Sequence, residues 1–177
     1  ATLAKARLPL QVDIGFGDVV TPGAQEVRYP SLVGLPEPRL HAYPPETVVA
    51  EKLEALVSLG MRNSRMKDFF DLWAIAKTFA FDGPTLARAV AATFARRQTP
   101  FPDGMPVALT ATYIDDASKQ AQWVAFLRRT SIALAPAPLP ELIAFIRAFA
   151  APLLASNAVE KLSATAWPPG GPWQSNI

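Results

Sequence analysis

The stretch PPETVVAEKLEALVSLG, residues 44–60, decides how this chain folds. Proline opens it, Glu46 follows where the first turn will be, and Gly60 closes it, the order of signals that starts and stops an α-helix. Advancing each residue by about 100° gathers Val48, Val49, Leu53, Leu56, Val57 and Leu59 into one half-circle, the face that packs inward. Lys52 falls inside that half, between Leu59 and Leu56 in angle, whereas Glu51, Glu54 and Ser58 occupy the opposite face. An ammonium turned inward needs anionic partners or water, because burying it alone is costly. A lysine at the border of the face can instead snorkel.

Before residue 44 the period is two. Leu8, Leu10, Val12, Ile14 and Phe16 alternate with Pro9, Gln11, Asp13 and Gly15, the pattern of a half-buried strand that turns Asp13 away from the core. Gly15, Gly17 and then Thr21-Pro22-Gly23 end it in a turn. Prolines at 30, 36 and 38 chop the following segment, so residues 32–33 and 39–43 read as loop in preference to edge strands.

After residue 60 the helical period continues. A second helix is predicted over residues 64–79 with Ser64 as its cap, and Asp82-Gly83-Pro84 breaks it. Pro84-Thr85 starts a third, covering 86–97, followed by a Pro-rich link 98–106 and two more helices 119–129 and 140–154. The run Trp167-Pro-Pro-Gly-Gly-Pro-Trp173 predicts a flexible or docked end without regular structure. The expected architecture is therefore α+β, mainly α: a short β segment over 1–43, a helical module over 44–155 and a Pro/Gly-rich tail over 156–177.

The 177 residues suffice for one sizeable core. With no Cys and a single His, disulfide scaffolds, thiolate zinc sites and cysteine nucleophiles are excluded, and His41 has no partner set that would give it a catalytic role. A bound metal would need carboxylates. The net charge of +2 is too small to mark a nucleic-acid surface, and Arg96-Arg97 and Arg128-Arg129 read as helix-end charges. No apolar run reaches the roughly 20 residues of a membrane span, and the lack of Cys weakly favours a cytoplasmic setting.

The second helix repeats the anomaly of the first. Phe69, Leu72, Trp73, Ile75, Ala76 and Phe79 form its apolar arc, and Asp68 projects into the middle of that arc with Asp71 at its edge. A carboxylate in a first turn also simply complements the helix dipole. Yet Arg62, Arg65 and Lys67 share the same ten residues, directly after a helix that turns a lysine inward. Two helices joined by a tight link pack antiparallel, which brings these charges towards one cleft able to take a phosphate, with carboxylates to hold magnesium or orient Lys52.

The runs Tyr-Pro-Pro-Glu-Thr-Val-Val-Ala-Glu-Lys (43–52) and Asn-Ser-Arg-Met-Lys-Asp-Phe-Phe-Asp-Leu-Trp (63–73), with Leu-Gln-Val-Asp-Ile-Gly-Phe-Gly-Asp (10–18), resemble the AbiEii/AbiGii toxin family. Gln122-Trp123 and Phe126-Leu127 extend the resemblance over most of residues 5–154. These are nucleotidyltransferase-like proteins of type IV toxin–antitoxin and phage-defence systems. The resemblance implies magnesium-dependent transfer of a nucleotide from a nucleoside triphosphate to an acceptor such as RNA, and an antitoxin partner. It implies that residues 1–43 are part of a nucleotidyltransferase sheet and that Asp13 is its third acid, a metal ligand. Asp13, Lys52 and Asp68 become catalytic residues, and Lys52, Arg65, Lys67 and Asp71 become the nucleotide-binding set. The family's Gly-Ser turn and Asp-x-Asp pair have no counterpart ahead of Asp13. The chain is thus expected to be the C-terminal portion of a longer protein or a truncated product, inactive in turnover on its own. A second reading, from a different class, is a non-catalytic helical module that binds an antitoxin or a second copy of itself.

Overall fold

The computed structural model describes residues 2–3, 6–7, 9, 17–31, 34–130 and 138–175. Two pairs of short strands lead: β1 (Thr2–Leu3) with β2 (Ala6–Arg7), and β3 (Gln25–Arg28) with β4 (Arg39–Ala42), both antiparallel. Helices α1 (Pro45–Leu59) and α2 (Met66–Thr78) follow, then the two-residue β5 (Phe81–Asp82) and α3 (Gly83–Arg97). The short α4 (Ala111–Ile114), α5 (Ala117–Arg129), α6 (Leu139–Ala150) and α7 (Ala158–Lys161) complete the helices. Strands β6 (Thr165–Trp167) and β7 (Gln174–Ser175) then return to β5, giving the antiparallel order β5-β6-β7. The architecture is α+β and mainly α, as the sequence predicts. The strand expected over residues 8–16, and Asp13 with it, lies outside the described residues, as do residues 32–33.

Helix α1 is the centre of the core. Val49, Ala50, Leu53 and Leu56 are fully enclosed, with α3 packed on one side of the helix and α2 on another. Gly60 ends it at φ +51°, a conformation costly for a residue with a side chain, and a 3-10 turn over Gly60–Arg62 redirects the chain. α2 then lies against α6 and α5. Phe69 and Tyr113 stack with ring centroids 5.3 Å apart, tying α2 to α4. Truncating one of the enclosed leucines would cost about 2–5 kcal/mol, so the packing fixes the helices' relative positions firmly.

Two local expectations change, the strand at residues 39–42 and the start of α5. Residues 39–42 form a strand where loop was expected, paired from Gln25↔Ala42 to Arg28↔Arg39. Nearly every position of this ribbon is exposed, so it offers no apolar alternation to read, and a Glu26–Arg39 ion pair stands in its place. Pro38 is accommodated because the ladder uses only its carbonyl, which accepts from the Tyr29 N–H. α3 starts at the Asp82-Gly83-Pro84 break, where Pro84-Thr85 predicts it, and the Asp82 carboxylate accepts from the Thr85 N–H at 3.0 Å and caps the helix. Asp116 does the same for α5, which therefore begins two residues before the expected Lys119.

The tail is docked, and its first tryptophan lies in a strand. Trp167 in β6 is buried with its indole N–H donated to Ala76 O at 2.8 Å, and the Trp173 indole donates to Phe149 O at 3.0 Å. Both carbonyls belong to the last turns of helices, α2 and α6, so each indole satisfies an acceptor that the helix itself leaves open. Among the described residues no helix is long and apolar enough to cross a membrane.

Candidate functional site

Lys52 leaves α1 on the side facing α2. Its Nζ lies 3.0 Å from Asp68 Oδ1 and 2.7 Å from Asp71 Oδ2, two carboxylates three residues apart on one face of α2. The Asp68 side chain keeps only 4% of its surface exposed and Lys52 15%, so this is a largely buried pair and the lysine does not snorkel. Burial alone would pull the Lys52 pKa down, but the hydrogen bonds to Asp71 and Asp68 outweigh it and hold the ammonium above its ordinary value.

Two further cations flank these acids from the solvent side. Arg65 Nε approaches Asp68 Oδ2 at 2.7 Å, off the line a hydrogen bond requires, while its Nη2 donates to Oδ1 at 3.3 Å. Lys67 Nζ reaches Asp71 at 2.6 Å one turn along the helix. With 59% and 73% of their side-chain surface exposed, Arg65 and Lys67 keep most of their donors for another anion. Both line an open cleft of ≈ 460 Å³ between the first turn of α2 and α5, together with Asp68, Gln122, Phe126 and Arg129. The structure thus brings Lys52, Asp68, Asp71, Arg65 and Lys67 together. Asp13 is outside the described residues.

Asn63 is the residue that sequence reasoning passed over. Wholly buried, it sits between the 3-10 turn and α2, where its Oδ1 accepts the Arg65 N–H at 2.8 Å in place of the cap expected from Ser64. Its carbonyl accepts from Tyr113 Oη at 2.8 Å and from Lys119 Nζ at 3.0 Å. Lys119 was legible by the test that flags Lys52: it precedes Trp123 by one turn and Phe126 by two, on the apolar side of α5.

A second charged cluster occupies the other flank of α1. Glu54 Oε2 accepts from Arg97 Nη1 at 2.7 Å and Oε1 from the Thr99 hydroxyl at 2.7 Å. Burial pushes this carboxyl up, and the Thr99 and Arg97 hydrogen bonds more than reverse the push, leaving it below its ordinary value. Arg97 also lies 3.6 Å from Glu51 and 4.0 Å from Asp18, and Arg96 Nε donates to Gly17 O at 2.7 Å. Arg96 and Arg97 are therefore more than helix-end charges: they hold residues 17–18 against α3. Thr47 adds to this hold, donating its hydroxyl to Thr21 O and accepting from the Thr21 N–H. Burial lifts the Glu51 carboxyl above its ordinary value by more than Arg97 lowers it.

Among the described residues the fit to magnesium is poor. Among the described residues no group of three or more carboxylates or histidines could hold a metal ion, and Asp68 and Asp71 are already committed to Lys52. Arg65 and Lys67, by contrast, present donors suited to phosphate oxygens.

The sequence model of the nucleotidyl transferase AbiEii toxin family, type IV toxin–antitoxin system, matches residues 1–151. The chain belongs to the AbiEii family. Its members' standing as toxins of a toxin–antitoxin pair implies an antitoxin partner, and the matched residues contain every member of the Lys52 cluster. No curated protein and no solved structure matches the chain.

Proposed function

We propose that this AbiEii chain binds the triphosphate of a nucleoside triphosphate at the edge of the α2–α5 cleft, as the substrate-side part of a nucleotidyltransferase-like toxin. The observation that carries the reading is a lysine ammonium fixed between two carboxylates beside two exposed cations that line a cleft. In this reading Asp68 and Asp71 aim Lys52, and Lys52, Arg65 and Lys67 share the phosphate oxygens as charge-assisted donors. Asp13 is the carboxylate proposed for magnesium and RNA the proposed acceptor. One carboxylate does not make the pair that in-line transfer uses, so the property proposed for this chain alone is binding.

The test is titration of the 177-residue chain with a nucleoside triphosphate and magnesium, followed by NMR. Signals of Lys52, Arg65 and Asp68 are expected to move. A Lys52→Ala chain that binds as tightly as the wild type overturns the assignment.

One observation favours the interaction reading. Tyr29, Leu40 and Tyr43 are all exposed on or beside the β3–β4 ribbon, as is Leu35 in its connection. We read this apolar surface as the place for an antitoxin or a second copy. A chain that stays monomeric in light scattering and binds no cognate antitoxin would refute it.

A further inference from the structure

Lys119 is 6% exposed and, among the described residues, has no carboxylate within ion-pair distance. Its ammonium has two contacts: the Asn63 carbonyl at 3.0 Å and the face of the Tyr113 ring, 5.2 Å from the centroid. A methionine of similar length would fill the same space without a charge to desolvate, so packing alone does not call for lysine here. What lysine adds is a donor on one particular carbonyl, 56 positions away in the chain.

That carbonyl occupies a telling place. Asn63 is two residues before Arg65, holds the Arg65 N–H through its own side chain, and leads into the turn of α2 that carries Asp68. Lys119 is three residues before Gln122, on the helix whose Gln122, Phe126 and Arg129 form the opposite side of the cleft. The Lys119–Asn63 hydrogen bond therefore joins the two walls of the cleft through groups buried in the protein. The Tyr113 hydroxyl, on the same carbonyl at 2.8 Å, fixes its direction from a third element.

We propose that Lys119 is a positioning residue for the Lys52 site, acting through the Asn63 carbonyl to set the register of Arg65 and Asp68 against α5. It makes no contact with the ligand. The proposal rests on the reading of Lys52, Arg65 and Asp68 as the site, and it extends that site to a residue outside the cleft lining.

The experiment compares the intact chain with Lys119→Met, which deletes the ammonium and keeps the stem, and with Tyr113→Phe, which deletes the second donor and keeps the ring. Side-chain NMR signals of Lys52 and Arg65 are followed first without ligand and then with a nucleoside triphosphate. In Lys119→Met both signals are expected to move in the free protein and the affinity to fall about tenfold, in line with couplings carried by a shared element. Tyr113→Phe is expected to shift the same signals less. Leu162→Ala, a buried residue immediately after α7, serves as a control that lowers the melting temperature without moving them, which separates positioning from general loss of stability. If Lys119→Met does not fold, Tyr113→Phe decides alone. Folded variants whose Lys52 and Arg65 signals stay in place overturn the proposal, whatever the nucleotide does. Moved signals in a protein whose wild type binds no nucleoside triphosphate leave the positioning standing and sink the nucleotide reading instead.

Discussion

Glu54 and Lys52 lie two residues apart on α1, both largely out of solvent, yet their surroundings differ in kind. Glu54 is one carboxylate answered by one guanidinium and one hydroxyl, and Arg97 spends its remaining donors on Glu51 and the chain near Asp18. Every strong partner there is another part of the protein, and the result is a clasp that joins α1, α3 and residues 17–21. Around Lys52 the acids are also paired with cations, but Arg65 and Lys67, which flank them, reach into an open cleft with donors to spare. Charge alone does not separate a clasp from a site. The separating property is whether the outermost charged groups are used up.

The contrast can be broken by removing one acid from each cluster. Asp68→Ala removes the buried partner of Lys52 and leaves it, among the described residues, with the half-buried Asp71, so a loss of about 3 kcal/mol is expected in urea unfolding, with nucleoside triphosphate binding abolished. Retained binding would show that Asp68 does not orient Lys52. Glu54→Gln should cost less, about 1–2 kcal/mol, because Arg97 is partly exposed and keeps Glu51. Binding in that variant should equal the wild type's by calorimetry, and a marked loss would erase the distinction between clasp and site.

The two clusters should also fail at opposite ends of the pH range. Glu54 has a depressed carboxyl, so its contribution is present above the unfolded value of about 4.3 and is lost as pH falls through the lower folded value. Lys52 has a raised ammonium, so its contribution is complete below about 10.4 and is lost as pH rises through the higher folded value. Unfolding free energies across both limbs should therefore show Glu54→Gln flattening the acid side and Lys52→Met the alkaline side. The smallest effect belongs to Lys67→Ala: under about 0.5 kcal/mol of stability, since the side chain is mostly exposed, together with a several-fold weaker nucleotide affinity. Equal affinity would remove Lys67 from the site.

Much of this was readable in the residues. The helical period of 44–60 and 64–79 placed the two helices, and the angular position of Lys52 and Asp68 on apolar arcs anticipated the pair that forms between them. The meeting of Arg65, Lys67 and Asp71 with that pair follows from the same spacing. The β3–β4 ribbon was not readable, because a ribbon exposed on both faces has no buried face to impose a pattern. Asn63 was missed for another reason: its value lies in a backbone carbonyl, and the residues that use it, Tyr113 and Lys119, are 50 and 56 positions distant. Side-chain periodicity carries no trace of such a bond. Lys119 itself could have been found, had the test applied to α1 and α2 been applied to the fifth helix.

The docked tail gives the molecule an optical property. Trp167 and Trp173 sit with ring centroids 5.5 Å apart and planes inclined at 66°, one buried and one half-exposed. Two identical chromophores held this close and skewed couple their transitions, so the closed tail should have its own near-ultraviolet circular dichroism, lost in Trp173→Phe. Release of the chain's last residues from α2 and α6 could then be followed by light alone, with no label attached.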